Sequence, residues 1–158
     1  MSQNHDRTIG RLAIAKERAG AALYRSLEKQ CRRHDVREIF GRLAAAEDMH
    51  VQQFTEILGR VGNLPAIEDD DTWHYLETLA LDKYTVVLDR LEETLHDTRY
   101  DVQALQLALS FETSSILLFT ELRAMVAEPR EQKLVDDLIA QEKGHIRMLH
   151  RMWDAQYN

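Results

Sequence analysis

A glutamate followed thirty residues later by Glu-x-x-His occurs twice in this chain, and no other feature restricts its folding as much. The first copy is Glu17 with Glu47-Asp48-Met49-His50, and the second is Glu112 with Glu142-Lys143-Gly144-His145. Both belong to a wider internal repeat. A shift of 95 residues lays Leu12 on Leu107, Ala13 on Ala108, Glu17 on Glu112 and Leu27 on Leu122. It also lays Leu43 on Leu138, Ala45 on Ala140, Glu47 on Glu142 and His50 on His145. The chain therefore reads as two similar units, with residues 63 to 100 as their connection.

The apolar spacing is helical in both units. From Thr8 to about Arg33 it runs through Ile9, Leu12, Ala13, Leu23 and Leu27. His34-Asp35 is the expected break, with Asp35 as N-cap of a second helix. That helix carries Ile39, Phe40, Leu43, Ala44, Val51, Phe54, Ile57 and Leu58, and stops near Gly62-Asn63. Residues 63 to 71 read as a loop, and Thr72 to about Thr98 as a third helical stretch, in one piece or two. Asp69 to Asp71 complement the dipole at its start. Asp101 is the expected cap of the helix holding Leu105, Leu109, Ile116, Phe119 and Leu122. Pro129 ends that helix or begins the last one, which runs to about Asp154. Two long helices joined by a very short turn lie antiparallel. The expected fold is all-α: one domain over residues 1–158, an antiparallel four-helix bundle of two repeated hairpins with a long, partly helical crossover. Two prolines and six glycines in 158 residues suit it.

In such a hairpin, residues equidistant from the turn lie level. The midpoint of 17 and 47 falls at 32, beside the His34-Asp35 break, and that of 112 and 142 at 127, beside Pro129. Each pair should face across its hairpin roughly 22 Å from the turn, at 1.5 Å per residue. The three-residue step puts each histidine on its glutamate's face. All four glutamates interrupt largely apolar stripes, such as Leu43, Ala44, Val51 and Phe54 around Glu47, and should point inward. Four carboxylates buried together are costly unless neutralised. Two divalent cations would cancel their charge, with imidazoles completing the shells. In that arrangement Glu47 and Glu142 bridge, while Glu17 with His50 and Glu112 with His145 are terminal ligands. An oxygen-rich set with two nitrogens favours iron or manganese over structural zinc.

Glu-x-x-His alone is weak: 14 glutamates and 7 histidines give about 0.6 chance matches. Glu93-Thr94-Leu95-His96 is such a match, with Asn63 instead of glutamate thirty residues earlier, and reads as surface. Tyr24, two turns beyond Glu17, either packs or hydrogen-bonds a ligand carboxylate. Its repeat equivalent is Phe119, so any such role is one-sided. Met49, Met148 and Met152 read as core filler, and Trp73, His74 and Tyr75 as packing for the crossover or a partner subunit. His5 and His150 read as solvated. Cys31 and His34 lie at an expected exposed turn, without a second thiol.

Net charge −7 gives no support for nucleic-acid or anionic-membrane binding. The single cysteine excludes a disulfide framework and any four-thiolate metal site. The first residues show neither the charged nor the apolar region of a signal peptide, and no apolar run near the roughly 20 residues of a membrane span stands out. A soluble, reducing, cytoplasmic setting is expected.

Four stretches carry a family resemblance: Ala15-Lys16-Glu17 with Tyr24, Ala46-Glu47-Asp48-Met49-His50, Phe111-Glu112 with Phe119, and Gln141-Glu142-Lys143-Gly144-His145-Ile146-Arg147-Met148-Leu149. With these the chain resembles the ferritin-like superfamily, and most closely its rubrerythrin-like branch. The resemblance implies a ferritin-like bundle with a non-haem di-iron centre; a manganese–iron pair is the variant. It implies an oxidoreductase that reduces hydrogen peroxide or dioxygen. Oxidation of ferrous iron for storage or detoxification is the alternative, and a metal-free helical interaction module the third reading. Two departures from typical rubrerythrins stand out. With only Cys31 there is no four-cysteine rubredoxin-like domain, so a separate electron donor is expected. Ser115 stands where those proteins carry an extra ligand glutamate, which leaves a set like that of bacterioferritin ferroxidase centres. A homodimer is the expected assembly.

Overall fold

Helical spacing of the buried positions becomes, among the described residues, four long helices and one short one bounded at both ends. In the computed structural model, α1 is Ile9–Gln30, α2 His34–Val61, α3 Asp70–Ala80, α4 Thr98–Met125 and α5 Pro129–Tyr157. The structure describes residues 7–62, 64, 66–80, 84, 87, 89–90, 93 and 98–157. The expected positions at Asn63, Val86, Leu91, Leu95, His96 and His5 lie outside these. Helices α1 and α2 form one antiparallel hairpin, and α4 and α5 the other. The hairpins meet through α1 against α4 and α2 against α5, while α3 leans on α1 and α4. These are the two hairpins that the repeat predicts, in the ferritin-like arrangement that the resemblance implies.

Four local details differ from the sequence expectation, each for a physical reason. Asp35 is not the N-cap of α2: Arg33 is, and Asp35 lies in the first turn, where its carboxylate receives the Arg33 guanidinium. Asp101 caps across helices rather than along its own. It is fully buried in the first turn of α4, and its carboxylate accepts the backbone N–H groups of Arg32 (2.8 Å) and Arg33 (2.9 Å). The tight α1–α2 turn thus has its free amides satisfied by the other hairpin, which buries Cys31 beneath it. Met49, expected as core, is 53% exposed, because the position next to Glu47 and His50 on α2 faces outward.

Three other boundaries fall within two residues of the expectation. Asp69 accepts the Thr72 N–H at 2.7 Å at the start of α3. Gly62 closes α2 with φ +77°, a conformation that glycine adopts without strain. Pro129 opens α5, where its missing N–H costs nothing.

The core has two layers. Leu23, Tyr24, Leu27, Phe40, Leu43, Tyr100, Leu105 and Phe111 fill the end near the α1–α2 turn. Ile9, Phe54, Ile57, Leu118, Phe119, Leu122, Val126 and Leu138 fill the end near the α4–α5 turn. Gly20 allows α1 and α4 to approach, since a Cβ there would lie 2.8 Å from the Phe111 ring and 3.3 Å from Glu47 Cγ. By length and composition Arg99–Met125 meets the requirement for a membrane span, contrary to the sequence expectation. Its apolar character comes from contact with α1, α3 and α5 together, and it carries buried Asp101 and Glu112.

Candidate metal centre

Between the two apolar layers lie Glu17 of α1, Glu47 and His50 of α2, Glu112 of α4, and Glu142 and His145 of α5. All six residues expected from the sequence are brought together. The four glutamates and His50 are buried to 1% exposure or less, and the His145 side chain is 13% exposed. The heights match because each pair is set about fifteen residues from its hairpin turn.

Both histidines turn Nδ1 toward the carboxylates. His50 Nδ1 lies 2.8 Å from Glu17 Oε2, 2.7 Å from Glu142 Oε1 and 3.5 Å from Glu47 Oε2. His145 Nδ1 lies 3.1 Å from Glu142 Oε2, 3.4 Å from Glu112 Oε1 and 3.7 Å from Glu47 Oε1. Glu47 and Glu142 therefore each present one oxygen to one histidine and the other oxygen to the second. Glu17 serves only the His50 side, and Glu112 only the His145 side. The two rings stack at 5.5 Å between centroids.

The electrostatics are those of a site under-supplied with positive charge. Burial, reinforced by the charge of Glu142, pushes the Glu17 carboxyl up to about 7. Burial also raises Glu47, with Glu17 adding to it, and raises Glu112. Burial alone would raise Glu142, but hydrogen bonding with Glu112, His145 and His50 outweighs it and holds this carboxyl below its usual range. Burial disfavours the charged imidazoles, but their carboxylate partners prevail. His145 is pushed up to about 10, and His50 is raised as well. Without metal the cluster thus holds itself together with protons.

Protons do not satisfy it. Glu17 Oε1, both oxygens of Glu47 and Glu112 Oε2 are buried with no hydrogen-bond partner. Such atoms cost about 1–3 kcal/mol each unless something compensates them. The donors fall into two adjoining groups, Glu17–Glu47–His50–Glu142 and Glu47–Glu112–Glu142–His145, each with its atoms within 4.8 Å of one another. A pair of cations sharing Glu47 and Glu142 fits both groups and meets the orphaned oxygens.

Tyr24 resolves toward the site. Its hydroxyl donates to Glu112 Oε1 at 2.6 Å, and its ring stacks on Phe40 and meets Phe111 edge-on. Burial and the Glu112 charge raise the phenol well above its ordinary value, so it remains a donor. Ser115 does not join the cluster, because its hydroxyl donates to the Phe111 carbonyl at 3.1 Å. The residue to which the sequence reading gave no role is Gln141, whose Oε1 lies 3.3 Å from His50 Nε2. The signal for it was a break in the repeat, since its equivalent is Ala46.

A bundle of two hairpins, each contributing Glu and Glu-x-x-His to one buried cluster, defines the class of helical carboxylate proteins with a site suited to two metal ions. The chain matches the Rubrerythrin family over residues 11–153 and belongs to that family. Comparison with curated proteins and with solved structures gave no match.

Proposed function

We propose that the protein is a non-haem di-iron oxidoreductase that reduces a small oxidant, hydrogen peroxide or dioxygen, at the buried cluster. The observation that supports this best is the division of Glu47 and Glu142, each offering one oxygen to either side. That geometry suits a pair of metals acting together rather than one structural ion. Iron held there by Glu17, Glu47, His50, Glu112, Glu142 and His145 would supply one-electron redox chemistry, with the electrons coming from a separate donor.

The chain's own residues hold and insulate that chemistry. Glu47 and Glu142 tie the two halves, and Glu17 with His50 and Glu112 with His145 close the ends. Tyr24 Oη–H holds Glu112 Oε1 and keeps that carboxylate oriented. Tyr24 and Phe111 on one side, and Phe54 and Phe119 on the other, exclude water from the cluster. His145 is the ligand with a solvent-facing edge, the side by which a small molecule approaches.

A second reading is ferrous-iron oxidation for storage or detoxification. The hydroxyl of Ser115, committed to Phe111, favours it by leaving four glutamates and two histidines. The assay is anaerobic reduction of iron-reconstituted protein, then peroxide or dioxygen, with and without excess ferrous iron. Rapid single-turnover reoxidation without mineral growth supports the first reading. Sustained iron turnover into a core supports the second. Less than one iron or manganese per chain after reconstitution sinks both and leaves the metal-free interaction module.

A further inference from the structure

The internal repeat makes the six ligands equivalent in pairs but leaves their supports unequal. A histidine that ligates through Nδ1 carries its hydrogen on Nε2, and what accepts that hydrogen fixes the ring. His50 has such an acceptor: Gln141 Oε1 lies 3.3 Å from its Nε2, across the α2–α5 contact. The Gln141 amide is itself tethered, its Nε2 donating to the Asp137 carbonyl at 3.4 Å. That places both amide atoms, so the oxygen is the one turned to the ring. At the equivalent place before Glu47 stands Ala46, whose methyl group has no acceptor to offer His145. Among the described residues His145 Nε2 has no hydrogen-bond partner, and its side chain is 13% exposed against 0% for His50.

We propose that Gln141 is a positioning residue that locks His50 for its metal and so makes the two metal positions unequal. The position of Glu17 and His50 is the firmly held one, and that of Glu112 and His145 is the exchangeable one. Gln141 also lines an open cleft of about 470 Å³ between α2 and α5, bordered by Gln53, Arg60, Arg130 and Asp137. Gln141 is thus the residue that both borders this cleft and contacts His50 Nε2. Tyr24 supports the carboxylate on the other side, not the imidazole, so the readout that isolates Gln141 is the ring N–H itself.

The inference rests on the two-metal reading, and one experiment separates them. Metal-free protein is titrated anaerobically with cobalt(II), a redox-stable probe whose paramagnetism shifts the ring N–H signals of ligating histidines. In the unchanged chain two cobalt ions bind in resolved steps, and one ring N–H signal persists in D2O while the other exchanges. Gln141→Ala loses the persistent signal and weakens the tighter step about 10–100-fold, so the two steps merge. Gln141→Glu, which keeps an acceptor at the same reach, restores both. Ala46→Gln slows exchange of the second signal. Two cobalt ions bound with unchanged affinities in Gln141→Ala would overturn the role of Gln141 alone. Equal exchange of both signals in the unchanged chain would do so without any variant. At most one cobalt per chain throughout would overturn the two-metal reading and this assignment with it.

Discussion

Glu47 is the residue at which stability and function pull apart. Its carboxylate is 1% exposed, its two oxygens carry no hydrogen bond, and burial raises its proton affinity. Glu47→Gln replaces a group costly to ionise with a neutral one of the same shape. The metal-free variant should therefore melt higher than the unchanged chain at pH 8, by about 1–2 kcal/mol. It should also fail to retain two metals, because the amide nitrogen cannot bridge; melting curves and metal analysis check both. Glu17→Gln should spare one metal, since its carboxylate faces only His50. Tyr24→Phe removes the 2.6 Å donor from Glu112 and should weaken the looser, His145-side step by about 10-fold at most, widening the gap between the two steps, measured by titration. At this scale the six cluster residues are legible because their spacing is a property of the chain. Gln141 is not, because its partner is 91 residues away and only a break in the repeat marks it.

Helices place these residues, and two contacts hold the helices in register. The first is Asp101, which sits at the start of α4 and closes the α1–α2 turn. Asp101→Ala leaves two backbone N–H groups with water or with nothing, and should cost about 1–3 kcal/mol in a denaturant melt. Asp101→Asn, which keeps an acceptor oxygen, should recover part of that loss. The second is Gly20, where α1 meets Phe111 and Glu47. Gly20→Ala adds helix propensity of about 1 kcal/mol but forces the Phe111 ring away, for a net destabilisation of about 1–2 kcal/mol by the same melt. The hairpins could be read from the sequence because apolar spacing and turn position lie within one unit. The caps could not, because the acceptor for Arg32 and Arg33 comes from the opposite hairpin, about seventy residues along. Asp35 has the capping chemistry at nearly the right place, yet the structure gives its carboxylate to Arg33.

For the whole molecule, the cluster makes stability depend on pH in a direction opposite to that of a protein held by surface carboxylates. In the metal-free chain the folded state binds more protons than the unfolded one wherever a folded pKa is raised. Glu17, raised from 4.5 to about 7, contributes stability that is complete below about pH 4.5 and is lost as pH rises toward 7. His145, raised from 6.5 to about 10, continues the loss above pH 6.5, and His50 acts in the same direction. Glu142, held low, works the other way, but its contribution is lost only as pH falls below the ordinary carboxylate range. The metal-free protein should thus be less stable at pH 8 than at pH 5. Metal must displace those same protons to bind, so its affinity rises over the same interval. Ligand binding stabilises by RT ln(1 + [L]/Kd), about 4 kcal/mol at a thousand times Kd for one site. The gap in melting temperature between manganese-loaded and chelator-treated protein should therefore be small at pH 5 and widen steadily to pH 8. A gap independent of pH would mean that the carboxylates are already ionised without metal. A gap that narrows would mean that the six residues do not hold it.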